Sequence, residues 1–154
     1  MPDIDIGGAT LHYAASGAGE PILLIPGLGL DHSYYRFGMP LLARHLQVLA
    51  VDPRGIGRST KSPPPYTVEA WADDFAVMID KFGFGAIHVL GSSLGGSMAL
   101  ALAQRCRRAI IASSRPKSWG LLARAASRPT NREAAGKPAH AFSARPCQGS
   151  PGPK

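Results

Sequence analysis

Ser93 stands between two glycines in the stretch HVLGSSLGGSMAL, residues 88–100. A serine hydroxyl can attack a carbonyl carbon when the backbone lifts it clear of its surroundings and a base takes its proton. The spacing Gly91-Ser92-Ser93-Leu94-Gly95 suits that task. Small residues two before and two after the serine remove side chains that would collide in a sharp turn. A helix starting at the serine would present free N–H groups and a positive dipole end, both favourable to an oxyanion. Taken alone, the five residues are better read as a serine at an ordinary glycine-rich helix start. What separates the two readings is the context: an apolar strand before the serine and a helix after it.

The elements around Ser93 supply that context. Ile4 and Ile6, then Leu11 and Tyr13, alternate around Gly7-Gly8 and predict an antiparallel hairpin. PILLIPG (21–27), VLAVD (48–52) and AIHVLG (86–91) are short runs, apolar nearly throughout, as in strands buried on both faces of a parallel sheet. Residues 67–82 place Val68, Trp71, Phe75, Met78, Ile79 and Phe82 on one face of a helix, with Thr67 as its cap and Gly83 as its stop. A weaker helical stretch over 33–46 is interrupted by Pro40. Residues 93–105 continue as a helix, and AIIAS (109–113) suits one more buried strand. The order predicts an α/β fold: a mostly parallel sheet with an N-terminal antiparallel hairpin and helices on both faces.

After about residue 114 the periodicity ends. The last 40 residues hold six prolines, four glycines, and eight Lys/Arg against Glu133 alone, whereas residues 1–114 are balanced at nine of each sign. The whole net charge of +7 therefore sits in that tail. It is expected to be disordered, with at most a short helix over 121–126. A basic tail attracts phosphate without specificity, and with Trp119 and Phe142 as its sole aromatics it offers little for base stacking, so specific nucleic-acid binding is not expected. No apolar run approaches the roughly 20 residues of a spanning helix, and MPDIDIGG is not a signal peptide. Cys106 and Cys147 lie far apart, with no metal-type spacing and no disulfide framework, so a reducing, cytoplasmic compartment is expected. No metal and no cofactor are expected. Gly27-Leu28-Gly29 after a strand opens a dinucleotide-like loop, but His32 occupies the third glycine's place.

IPGLGLDHS (25–33), VDPRGIGRS (51–59) and VLGSSLGGSMA (89–99) occur in the order and spacing of the α/β-hydrolase family, and the chain resembles the N-terminal half of that family over residues 3–114. The resemblance implies that Ser93 is the nucleophile, that the N–H groups of Leu28 and Leu94 form the oxyanion hole, and that Gly91 and Gly95 are the elbow glycines. Pro26 replaces the histidine that commonly opens the family's oxyanion loop, leaving the backbone donor intact. Asp52, Arg54 and Gly55 resemble a structural turn. The implied activity is hydrolysis of a small carboxylic ester, thioester or lactone. Serine at the elbow argues against the aspartate-dependent dehalogenases and epoxide hydrolases, and leaves cofactor-free haloperoxidases and carbon–carbon bond hydrolases open.

In this family an acid and then a histidine follow the serine. Here only Glu133 and His140 do so, seven positions apart in a tail without rigid support, and neither is assigned a catalytic role. Of the other histidines, His88 is expected to be packed and hydrogen-bonded in its strand, His32 to lie in a surface loop or line a pocket, and His12 and His45 to be surface or edge residues. The expectation is a truncated or frameshifted hydrolase. Its alternative is an inactive fragment acting at most as a binding module, self-associating through an exposed core.

Overall fold

A computed structural model describes residues 2–106 and, as backbone only, 109–115 and 118–123. Strands β1 (Asp3–Asp5) and β2 (Thr10–Ser16) form the N-terminal hairpin. Gly7 and Gly8, at φ of 78° and 110°, make its turn, and Ile6 N–H donates to Ala9 O at 2.8 Å to close it. The strands β3 (Glu20–Ile25), β4 (Leu46–Val51), β5 (Ile87–Ser92) and β6 (Ala109–Arg115) are parallel, and β7 (Ser118–Ala123) returns antiparallel to β6. The sheet order is β1-β2-β4-β3-β5-β6-β7. β3 thus lies between β4 and β5, and the loops at the C-terminal ends of the central strands meet at one edge.

Side chains alternate across this sheet, as the pleat requires. Leu23, Ile25, Leu49, Val51 and Val89 bury one face against α2 (Val68–Phe82) and α3 (Leu94–Arg105). Trp71, Phe75, Met78 and Ile79 of α2 and Met98 and Leu102 of α3 fill that layer. Val68 and Phe82 are partly buried against it, so the apolar stripe expected of this helix faces the core along its whole length. Thr67 Oγ1 accepts the Ala70 N–H at 3.1 Å, and Gly83 ends the helix at φ 69°.

Ile22, Leu24, Val48 and Ala50 bury the opposite face. Its cover is slighter: a 3-10 helix, His32–Tyr35, and the four-residue α1 (Met39–Leu42), which bring Tyr35, Met39 and Leu42 against it. The single helix expected over 33–46 is therefore two short pieces. Pro40 sits in the first turn of α1, where a missing N–H breaks no helical bond, and the chain breaks before it.

Two further expectations change at the C-terminal side. The regular pattern runs past residue 114, through β6 to Arg115 and on into β7. Residues 118–123 are strand where a short helix was expected over 121–126. A helix so short is costly to nucleate, whereas pairing Ala112 with Leu122 and Ser113 with Leu121 satisfies the backbone at once. Residues 124–154, including Glu133 and His140, lie outside the described residues.

The turn after β4 is anchored to α2 by a bidentate pair. Arg54 Nε donates to Asp74 Oδ2 at 2.8 Å, and Arg54 Nη2 donates to Asp74 Oδ1. Trp71 Nε1 donates to Arg54 O at 2.9 Å, and Tyr66 stacks on Trp71 at 5.8 Å between centroids. Burial pushes the Asp74 carboxyl up, and the Arg54 guanidinium opposes that shift. Removing the guanidinium would leave a nearly buried carboxylate alone. Arg54→Ala is expected to cost about 3 kcal/mol at neutral pH. With the folded-state pKa raised above the unfolded one, the penalty exists above that pKa and is relieved as pH falls through it. Urea denaturation at neutral and mildly acidic pH checks this: the gap to the parent protein narrows at the lower pH.

Candidate active site

Ser93 occupies the turn between β5 and α3 with φ 53° and ψ −118°. Among the described residues it is the one non-glycine with positive φ. Such a backbone costs about 1–3 kcal/mol and persists only where its surroundings enforce it. Those surroundings are the two glycines. A Cβ on Gly91 would lie 2.6 Å from Gly96 N, and one on Gly95 would lie 2.9 Å from the carbonyl carbon of Ile25. The first turn of α3 is thus pressed against both β5 and the end of β3, and no methyl group fits at either contact. The turn that the sequence pattern calls for is present for a steric reason.

The hydroxyl is not spent on structure. A serine preceding a helix ordinarily accepts an N–H of the first turn. Ser93 makes no such cap, and among the described residues its Oγ has no hydrogen-bond partner. Ser93 is also exposed. Ser93 is therefore not an ordinary helix cap.

The loop after β3 lies beside the elbow. A Cβ on Gly27 would sit 3.3 Å from Ser92 O and 3.5 Å from Ser93 Cβ. The N–H groups of Leu28 and Leu94, one from each loop, donate to no described residue. They leave two unspent donors on the segments flanking the serine, one at the N-terminus of the 12-residue α3. The Leu28 side chain is 73% exposed and Leu30 42%, so the rim is apolar. Tyr34, which sequence reasoning did not single out, joins that rim: its hydroxyl lies 3.2 Å from Ser92 Oγ. The signal was a tyrosine three residues past Asp31, the 3-10 cap, but nothing in its spacing marks the contact.

Asp52 is fully buried and works as a hub. Its Oδ1 accepts the His32 N–H at 2.7 Å and pairs with His32 Nδ1 at 2.7 Å, while Oδ2 accepts the Arg58 N–H at 2.8 Å. A Cβ on Gly57 would lie 2.5 Å from the Asp52 carboxyl carbon, so the turn closes over the carboxylate. Asp52, Arg54 and Gly55 form the structural turn expected of them. A Cβ on Gly55 would meet the Tyr66 ring at 2.6 Å.

The histidines need correction. His12, expected at the surface or an edge, is 3% exposed, because β2 is covered where it runs beside the turn after β4. His32 is drawn off the surface by its bond to Asp52. His88 is hydrogen-bonded as expected, its Nε2 lying 3.1 Å from Glu20 Oε2, but it is about two-fifths exposed, less packed than a strand position suggests. No helix among the described residues is long and apolar enough to cross a membrane.

Residues 20–130 match the family model described as the alpha/beta hydrolase fold. The chain belongs to that family. It is 35% identical over 128 residues to a protein named carbamate hydrolase RutD from Azorhizobium caulinodans, covering 80% of this chain and 48% of the relative. Among solved structures it resembles the enol-lactonase of Burkholderia xenovorans LB400, with a TM-score of 0.67, 32% identity, and coverage of 71% of this chain and 45% of that one. The epoxide hydrolase CorEH gives the same TM-score of 0.67, with 29% identity and coverage of 71% and 40%. The chain spans about half the length of the curated relative and somewhat less of the two structures.

The contact of Gly95 with β3 is testable by itself. Gly95→Ala must push α3 away from Ile25 and Pro26, and is expected to destabilise the protein by about 2–3 kcal/mol in urea denaturation. Leu100→Ala, at an exposed position of the same helix, serves as the comparison and should change stability little.

Proposed function

We propose that the chain carries the nucleophilic half of a serine hydrolase acting on a carboxylic ester, thioester or lactone. The observation that carries this reading is the strained, exposed Ser93 with an unspent hydroxyl. Ser93 Oγ adds to the substrate carbonyl carbon and gives its proton to a base. The carbonyl oxygen becomes an oxyanion, held by the N–H groups of Leu28 and Leu94. Collapse expels the alcohol or thiol, which takes the proton back from the base. Water then adds to the acyl-serine, and its breakdown releases the acid and restores the hydroxyl. Two amides fixed by a strand end and a helix start need no reorganisation as the charge develops, and each such donor contributes about 3–4 kcal/mol to the barrier's reduction.

Relatives whose names describe a carbamate hydrolase and an enol-lactonase support cleavage at an acyl carbon. The likeness to an epoxide hydrolase is one of fold, and serine at the elbow favours acyl chemistry over epoxide opening. The apolar rim of Leu28, Leu30 and Tyr34 fits an uncharged acyl or alkoxy group.

A second reading has one observation in its favour. Among the described residues no histidine or carboxylate is hydrogen-bonded to Ser93, and the His32–Asp52 pair is spent on the turn after β4. A domain without a base would be an inactive binding module. A fluorophosphonate probe separates the two, because it labels only an activated serine. The purified protein is expected to take up the probe, Ser93→Ala to take up none, and p-nitrophenyl butyrate hydrolysis to fall to background in the same variant. A folded parent protein that stays unlabelled would overturn the hydrolase reading in favour of the binding module.

A further inference from the structure

His12, His32 and Asp52 come from three segments, β2, the loop after β3 and the turn after β4, yet one donor atom of each lies within 4.8 Å of the others. His12 and Asp52 are buried, and the His32 side chain is 14% exposed. The His12 and His32 rings lie 5.3 Å apart between centroids. Their even spacing along the chain, at 12, 32 and 52, matches no metal motif, so the cluster exists only in the folded protein.

The decisive feature is His12. Its Nδ1 lies 2.6 Å from Asp3 Oδ1. A carboxylate at that nitrogen holds the ring proton on Nδ1 and leaves a lone pair on Nε2. That Nε2 is buried and has no hydrogen-bond partner among the described residues. A buried acceptor with no proton to bind, on a residue clustered with a second histidine and a buried carboxylate, is an arrangement proteins seldom leave unmet. Asp52 is fixed from behind, through the amides of His32 and Arg58, and the carboxylate–imidazole pair of Asp3 and His12 is the usual support of a metal-bound histidine.

We propose that His12, His32 and Asp52 bind a divalent transition-metal ion, with Zn²⁺ the ion best suited to two imidazoles and one carboxylate. Asp3 is the supporting residue outside the site. The ion would take the place of the proton shared by His32 Nδ1 and Asp52 Oδ1, now 2.7 Å apart, and that pair would open to about 3.3 Å, the ligand separation of a tetrahedral ion. Bound there, the ion joins β2 to the loop after β3 and the turn after β4. It is a structural tie and takes no part in the acyl chemistry proposed above.

The test is titration of the full chain, stripped with chelator, by calorimetry with Zn²⁺ and by absorption with Co²⁺. One ion per chain is expected, with the intense ligand-field bands of low-coordinate Co²⁺ and a rise in Tm. His12→Leu and His32→Asn should abolish the bands and the Tm rise; the asparagine amide can keep the bond to Asp52 while removing the imidazole. Asp3→Asn, at a largely exposed side chain, should weaken binding about tenfold. His45→Ala and His88→Ala, at exposed or half-exposed histidines, should leave it unchanged. If His12→Leu fails to fold by circular dichroism, His32→Asn and Asp3→Asn carry the test. No binding by the parent protein, or binding that survives His32→Asn and Asp3→Asn undiminished, overturns the proposal.

Discussion

The start of α3 is pressed so closely onto the end of β3 that only glycine fits at position 95. That contact fixes where the helix begins. With Gly91 meeting the same turn from the β5 side, it leaves the chain no unstrained route between strand and helix, and Ser93 takes up the difference at φ 53°. The strain is small beside what holds it in place. Two parallel strand pairings, β3 with β4 and β3 with β5, and a core layer of α2 and α3 side chains would have to shift to release it. A serine in that position is not optimised for stability, which is the usual condition of a site shaped for another purpose.

The loop after β3 depends on a separate constraint. Its downstream end is tied to the buried Asp52 through the His32 amide and ring, and Asp52 is closed over by the turn at Gly57. That turn is clamped in its turn to α2 through Arg54, Asp74 and Trp71. Tyr35 Oη donates to Ile25 O at 2.8 Å, pinning the 3-10 helix to the end of β3, and burial pushes the Tyr35 hydroxyl pKa upward. The segment carrying Leu28 N–H therefore starts from a buried strand and ends on a buried carboxylate. A free amide on a short loop held at both ends keeps its direction, which is what an electrostatic donor requires.

Much of this was legible in the residues. Apolar runs at 21–27, 48–52 and 86–91 predicted β3, β4 and β5 because a strand covered on both faces has no polar side to interrupt the run. Thr67 and Gly83 marked the ends of α2, since capping and left-handed termination are local chemistry. Gly91 and Gly95 pointed to the elbow because the steric demand falls on those two positions alone. What was not legible depends on contacts between distant segments. His12 looked like an edge residue because alternation along β2 says which side a residue faces and not what covers that side. The pairing of Tyr34 with Ser92 and of His32 with Asp52 spans 58 and 20 residues, respectively. The strand at 118–123 was missed because its partner, β6, decides its conformation more than its own composition does.

On the serine-hydrolase reading proposed above, the parts of acyl-transfer chemistry divide between local and distant sequence. The serine proposed as nucleophile and the two free amides lie on β3, β5, α3 and the loops joining them, all between residues 20 and 105. Their geometry follows from one parallel strand pair and one close-packed helix, so a short span of chain suffices to build it. A proton acceptor has no such local determinant: it must reach Ser93 Oγ from a different segment, with its own supporting carboxylate. The His32–Asp52 pair illustrates the point. Its geometry is that of an oriented imidazole, but the Asp52 carboxylate also accepts the backbone amides of His32 and Arg58, which commits the pair to holding a turn. On the reading proposed above, the core of this sheet supplies the electrostatic part of the chemistry, while the acid–base part depends on residues outside it.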